Sequence, residues 1–189
     1  MNLFATVLYE DKMQPGAGGA FPLHDLVLAM VGDAIGREVW DLRKLIGKNP
    51  KNGVSKLIGD LAITGLLAQE GKLLILVDRD RIAEHVGLPK LSDDVAVVAA
   101  LRKRSDAPDK LRIFFLRPNM EGLLSSIAEC APGLPIPRAK VLVDRDIVLN
   151  KAAFRETKQV RHCIMEKQPG VADLVQELVL LCASAPEDG

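Results

Sequence analysis

Residues 73–80 read Leu-Leu-Ile-Leu-Val-Asp-Arg-Asp. Five consecutive apolar residues, opened by Gly71-Lys72 and closed by charge, predict a strand buried on both faces. A second apolar run, residues 3–9 (LFATVLY), is rich in strand formers and ends in Glu10-Asp11-Lys12. Each strand therefore delivers carboxylates at its C-terminal end, where open α/β sheets bind their ligands. In an extended segment residues i and i+2 point to one side, so Asp78 and Asp80 are expected to face one divalent cation. Hard carboxylate oxygens suit such an ion, and Glu10 would meet it from the other strand. The plainer alternative is a strand end with solvated charges and Asp80 capping the following helix.

On either side of these runs, helical and strand patterns alternate. Leu23, Leu26, Val27, Met30, Val31 and Ile35 recur at helical spacing after Pro22, with Gly36 at the end. Residues 39–46 read as helix or strand; the strand is preferred because 47–53 (GKNPKNG) then supplies a turn. Val54, Leu57, Ile58 and Leu61 open a helix expected to run to about Gln69. Beyond the Asp-Arg-Asp motif, residues 81–86 form a short helix stopped by Gly87. A helix opening at Ser92-Asp93-Asp94 closes on Arg102-Lys103-Arg104, its charges complementing its dipole. Leu111–Leu116 is a strand, 119–130 a helix, and 131–138 a proline-rich loop. The remainder is helical, with Val171, Leu174, Val175, Leu178 and Leu181 in one stripe, and 183–189 are expected to fray. The pattern predicts an α/β fold: a mostly parallel sheet sandwiched by helices, Rossmann-like, over residues 1–130, with a helical extension over 131–189 packed on it.

Val-Asp-Arg-Asp occurs twice, at 77–80 and 143–146. The second copy is read as a helix start, with Asp144 or Asp146 capping a helix through Met165.

Composition narrows the function classes. Apolar residues make up 48% of the chain, enough for a real core, so disorder is expected at the ends alone. Formal net charge is zero, which removes a global basic field while leaving local clusters. Aromatic residues are 4%, too sparse for base-stacking recognition of single strands. Cys130, Cys163 and Cys182 are far apart and odd in number, which predicts neither a disulfide framework nor a CxxC metal site and favours a reducing cytoplasm. No signal peptide and no membrane span are expected. His24, His85 and His162 lack HxH or HExxH partners, which argues against a zinc enzyme, although His24 is expected near the site. The glycine-rich segment 14–20 lacks a phosphate-binding GxxxxGK[ST] pattern.

A first strand ending in glutamate, two helix–strand units and then a strand ending in Asp-x-Asp together resemble the Toprim fold. Topoisomerases, bacterial primases, small maturation nucleases and overcoming-lysogenisation-defect nucleases share it. The matching residues are Glu10, Asp78 and Asp80, and the interval of about seventy residues suits the elements between them. The segment from Gly47-Lys48 to Ser55-Lys56 looks like the basic turn of nuclease-type members. Arg117-Pro118-Asn119-Met120-Glu121 is similar to a short motif, ending in an acid, of stand-alone Toprim-like proteins in bacterial defence loci. The resemblance spans about residues 3–128. Many members carry glycine or another small residue after the glutamate, where this chain has Asp11 and Lys12.

The resemblance implies Mg²⁺ (or Mn²⁺) held by Asp78 and Asp80, with Glu10 as ligand or general acid/base. Glu121 is expected as a further metal ligand, or simply as an acid favoured at a helix N-terminus. Glu121 or Asp11 would supply the extra oxygen that two-metal chemistry needs. Lys12, Lys48 and Lys56, with Lys51 beside them, are candidates for nucleic-acid phosphates, or for a solvated turn. Arg79 and Arg81 flank the aspartates, and one of them is expected to pair with a carboxylate. The implied function is metal-dependent cleavage of nucleic-acid phosphodiesters. The alternative is an inactive or conditionally active Toprim-like partner of an ATPase in a defence complex, and the oligomeric state is left open. Tyr9 lies in the first strand, which argues against topoisomerase chemistry. An Asp-x-Asp phosphotransferase would carry its pair on the first strand rather than here.

Overall fold

In the computed structural model, residues 3–11, 21–69, 71–135 and 141–184 are described. Four parallel strands form one sheet in the order β2-β1-β3-β4, comprising β1 (Ala5–Tyr9), β2 (Ile46–Pro50), β3 (Lys72–Asp78) and β4 (Leu111–Leu116). Leu73, Leu74, Ile75 and Val77 are fully buried, as an apolar run in a central parallel strand must be. The Rossmann-like α/β expectation is met.

Strand alternation divides the core in two. Val7, Tyr9, Leu74 and Leu76 face α1 (Pro22–Ile35) together with α8 (Leu142–Phe154) and α10 (Pro169–Ala183). Leu8, Leu73, Ile75 and Val77 face α3 (Val54–Gly59), α5 (Arg79–His85) and α6 (Asp94–Arg102). The chain moves from β1 to β2 in one direction, then back across β1 to β3. Right-handed crossovers put the two connections on opposite faces. That reversal opens a crevice outside the carboxyl ends of β1 and β3.

Several expected elements are corrected. Residues 39–46 are not a strand: α2 (Val39–Leu45) fills the span, and β2 occupies most of the expected turn. β1 has an open edge whose backbone groups need partners, and Ile46 to Pro50 pair with Ala5 to Tyr9 despite poor strand propensity. Pro50 is tolerated because β2 is the edge strand. The turn comes later, at Asn52 (φ 58°) and Gly53 (φ 116°), where the left-handed backbone favours glycine. The helix expected from Val54 to Gln69 is broken into α3, a 3-10 turn (Asp60–Ile63) and α4 (Thr64–Ala68). Thr64 Oγ1 donates to Leu61 O at 2.7 Å, a local bond that competes with the helix ladder.

The second Val-Asp-Arg-Asp copy does not cap a helix through Met165. Val141 precedes α8 without a side-chain cap, so neither Asp144 nor Asp146 has that role. The span then divides, with α9 (Lys158–Lys167) capped by Thr157. Arg161 holds the junction, giving two bonds to Asp33 (2.5 and 2.9 Å) and one to Glu156 O (2.7 Å).

The cysteine expectation is also corrected. Cys130, at the end of α7 (Met120–Cys130), forms a disulfide with Cys163 of α9, and Cys182 is buried and free. Residues 33 apart in sequence meet because α7 and α9 pack side by side, which spacing along the chain does not reveal. The 183–189 fray falls mostly on residues outside those described, as does the 14–20 loop. Among the described residues no helix is long and apolar enough to cross a membrane.

The C-terminal helices share one core with α1 and also shape the crevice. A Cβ on Gly170 would lie 2.0 Å from Phe115 O, so only glycine lets α10 begin this close to β4. Beside it, buried Gln168 donates to Arg117 O (3.0 Å) and Ser126 Oγ (3.0 Å) and accepts from Arg117 N (3.3 Å). Its amide thus clamps the β4–α7 loop.

Candidate active site

Glu10 leaves β1 at the crevice, and its Oε2 accepts a hydrogen bond from Asp78 N at 3.0 Å. This bond ties the ends of β1 and β3 together across 68 residues. Asp78 closes β3, and α5 starts at the next residue. The backbone N–H groups of Arg79 and Asp80 both donate to Pro118 O, at 3.0 and 3.2 Å. Asn119 Nδ2 donates to Asp80 Oδ2 at 2.9 Å, while its Oδ1 caps α7 by accepting from Gly122 N at 3.3 Å. The Gln168-clamped loop therefore orients Asp80 from outside the two carboxylate-bearing strands.

A cleft of about 320 Å³ results, lined by Glu10, Asp11, Asp78, Asp80, Glu121 and Arg145, among others. Asp78 and Asp80 both reach it, but not along one extended segment. Asp78 is the last strand residue and Asp80 lies in the first turn of α5. The strand-to-helix junction, rather than period-two alternation, brings them together.

The electrostatics are those of crowded, partly dehydrated acids. Burial, then Glu10, Asp80, Asp11 and Glu121, push the Asp78 carboxyl up to about 8. Burial raises Glu10 as well; the bond from Asp78 N works against that shift, and Asp80 and Asp11 reinforce it. Asp80 Oδ1 is buried and has no hydrogen-bond partner. A dehydrated carboxylate oxygen left unpaired is costly, and a hard cation would satisfy it. Among the described residues, no group of three or more His, Cys, Asp or Glu side chains is placed to hold a metal ion. Mg²⁺ is commonly held by one or two carboxylates, with waters and substrate phosphates completing the octahedron. Asp78 and Asp80, with Asp80 Oδ1 unpartnered, are the pair of carboxylates in the cleft that could serve in that way.

Other expected site residues divide. Glu121 lines the cleft from the first turn of α7. Arg81 lines it too, while Arg79 turns away to Asp94 (Nε–Oδ1 2.6 Å) and over the Phe115 ring. Lys48 and Lys56 are not among the residues lining the cleft. Lys48 lies on β2 near His24, Asp25 and Arg43, and burial lowers its pKa. Lys56 is exposed on α3, Lys51 pairs with Asp60, and Lys12 lies outside the described residues.

His24 does not line the cleft but sits under it, fully buried. Its Nε2 faces Ile46 O at 3.3 Å, a group that can only accept, so Nε2 carries the proton. Nδ1 is then the acceptor for the Tyr9 hydroxyl at 2.8 Å. Burial holds the imidazole neutral, its pKa lowered to about 3. The imidazole is a support for Tyr9, which itself lines the cleft.

Arg145 is the site residue that sequence reasoning missed. Its Nη1 reaches Asp11 Oδ1 at 3.0 Å and Oδ2 at 2.9 Å, and it lines the cleft from α8. The repeated Val-Asp-Arg-Asp was the available signal.

No family model matches this chain, and neither does any curated protein or solved structure.

Proposed function

We propose that this protein is a Toprim-like, Mg²⁺- or Mn²⁺-dependent phosphodiesterase acting on nucleic acid. The observation that carries the reading is the Glu10–Asp78 bond at the crossover reversal, beside the unpartnered Asp80 oxygen. Asp78 and Asp80 would hold the cation, with Glu10 or Glu121 as an additional oxygen donor. The bound ion would stabilise charge on phosphate oxygens and lower the pKa of an attacking water. Glu10, whose pKa is raised, would move a proton at its carboxyl group; a group poised nearer neutrality is the better acid or base. Asn119 keeps Asp80 in place, and Arg81 faces the cleft as a phosphate contact.

A second reading is favoured by the position of the lysines. Among the described residues lining the cleft the cations are Arg81 and Arg145, few for a nucleic-acid track. An inactive or conditionally active subunit, completed by an ATPase partner, would account for this. Cytoplasmic placement goes with both readings, and the Cys130–Cys163 bridge bears the other way, since disulfides persist in oxidising compartments.

Calorimetric titration of Mg²⁺ into wild type and Asp78→Ala/Asp80→Ala tests the ion site, and DNA and RNA cleavage assays then test the activity. Binding lost in the double variant supports the site. Cleavage untouched by combined Glu10, Asp78 and Asp80 substitution sinks the enzymatic reading.

A further inference from the structure

We propose that Arg145, on the C-terminal extension, is the oxyanion-binding residue of the cleft and takes two oxygens of a phosphate group. This inference rests on the cleft being the functional site and names the chemistry of its ligand. The Arg145 side chain is 7% exposed and its charge faces two carboxylates, Asp11 and Asp146, yet not all of its N–H groups are bonded. Nη1 is used on Asp11. Nε and Nη2 are buried with no hydrogen-bond partner, Nε standing 4.0 Å from Asp146 Oδ1, beyond bonding distance. Those two nitrogens form one edge of the planar guanidinium, whose parallel N–H groups match the spacing of two phosphate or carboxylate oxygens. A guanidinium does not shed its proton to escape burial, so a buried edge left unpaired beside the cleft calls for an acceptor.

The surroundings select phosphate. Glu10, Asp78 and Asp80 share the cleft wall with Arg145. An anion entering alone meets their charge. A phosphate can bridge a cation on Asp78 and Asp80 to the Arg145 edge, because it offers oxygens in several directions. A carboxylate has two oxygens, so it would have to share them between the guanidinium and the cation, whereas phosphate has oxygens to spare. The alternative is that Arg145 simply neutralises Asp11 and anchors α8 to β1.

The test is calorimetric titration of inorganic phosphate, with and without Mg²⁺, into wild type, Arg145→Lys, Arg145→Gln and Asp11→Asn. Thermal unfolding and Mg²⁺ titration of each variant run alongside. Arg145→Lys keeps a cation for Asp11 but lacks the fork, so it separates anion binding from anchoring. We expect wild type to bind phosphate more tightly with Mg²⁺, and Arg145→Lys to bind at least about tenfold more weakly with its Mg²⁺ affinity unchanged. Asp11→Asn should bind phosphate at least as well as wild type. Equal phosphate affinity in wild type and Arg145→Lys overturns the inference, as does wild type that binds none. Phosphate binding that depends on Arg145 where Mg²⁺ does not bind keeps this inference and sinks the metal reading instead.

Discussion

The same four residues, Val-Asp-Arg-Asp, stand at 77–80 and at 143–146, and they meet at one cleft with opposite parts turned toward it. In the first copy Val77 is fully buried in β3, both aspartates line the cleft, and Arg79 points away to Asp94. In the second, Val143 is 54% exposed on α8 and the arginine lines the cleft. A strand that becomes a helix between Asp78 and Arg79 sends its side chains one way. A continuous helical turn sends the same side chains another. Local sequence specifies which groups are present, and the element that carries them specifies where they go.

The largest effect should separate the two copies by function. Asp78→Asn with Asp80→Asn should abolish Mg²⁺ binding and lower cleavage by about 10²–10⁴, the range for losing positioned charge or proton transfer. Asp144→Asn should leave both in place; equal losses would erase the distinction. Next come the valines. Val77→Ala should cost about 2 kcal/mol in urea unfolding, whereas Val143→Ala should fall within about 0.5 kcal/mol. The arginines differ in kind. Arg79→Ala should cost about 1–2 kcal/mol by removing its bonds to Asp94 and the Ser92 carbonyl, with phosphate binding retained.

A separate effect concerns pH. The Asp78 carboxyl titrates at about 8 when folded, against 3.8 ordinarily, so the folded state binds the extra proton between those values. Its contribution to stability is present at low pH and is lost as pH rises toward 8. Without divalent cation, wild type should therefore melt at lower temperature at pH 8 than Asp78→Asn, and the gap should narrow as pH falls toward 4. Mg²⁺ should close that gap. A wild type more stable than Asp78→Asn at pH 8 without cation would mean the acids are not in conflict.

Much of this was legible in advance. β3 and β4 stand out because a central parallel strand must be apolar on both faces, so the code is a run rather than an alternation. Glu10 and Asp78 are legible for a related reason: polar residues that end such runs lie at the sheet's carboxyl edge. β2 is not legible, because Gly47, Lys48, Asn49 and Pro50 are recruited by the open edge of β1 and not by their own propensity. Nor is the Cys130–Cys163 bridge, which depends on how α7 meets α9. Gln168 is legible only as a polar residue before a proline, and its clamp on Arg117 exists only once α10 lies on β4.

By itself, then, the chain's order of apolar runs and charges determined an α/β sheet with carboxylates at the ends of two strands. Hydrophobic periodicity is a local property, and burial acts on it directly. Tertiary structure alone decided that Asp80 is held by Asn119, that His24 is a neutral support under Tyr9, and that Arg145 enters the cleft while Arg79 leaves it. Those outcomes depend on which dehydrated polar groups find partners across long stretches of chain. Pairing energies of that kind exist only after the elements have packed.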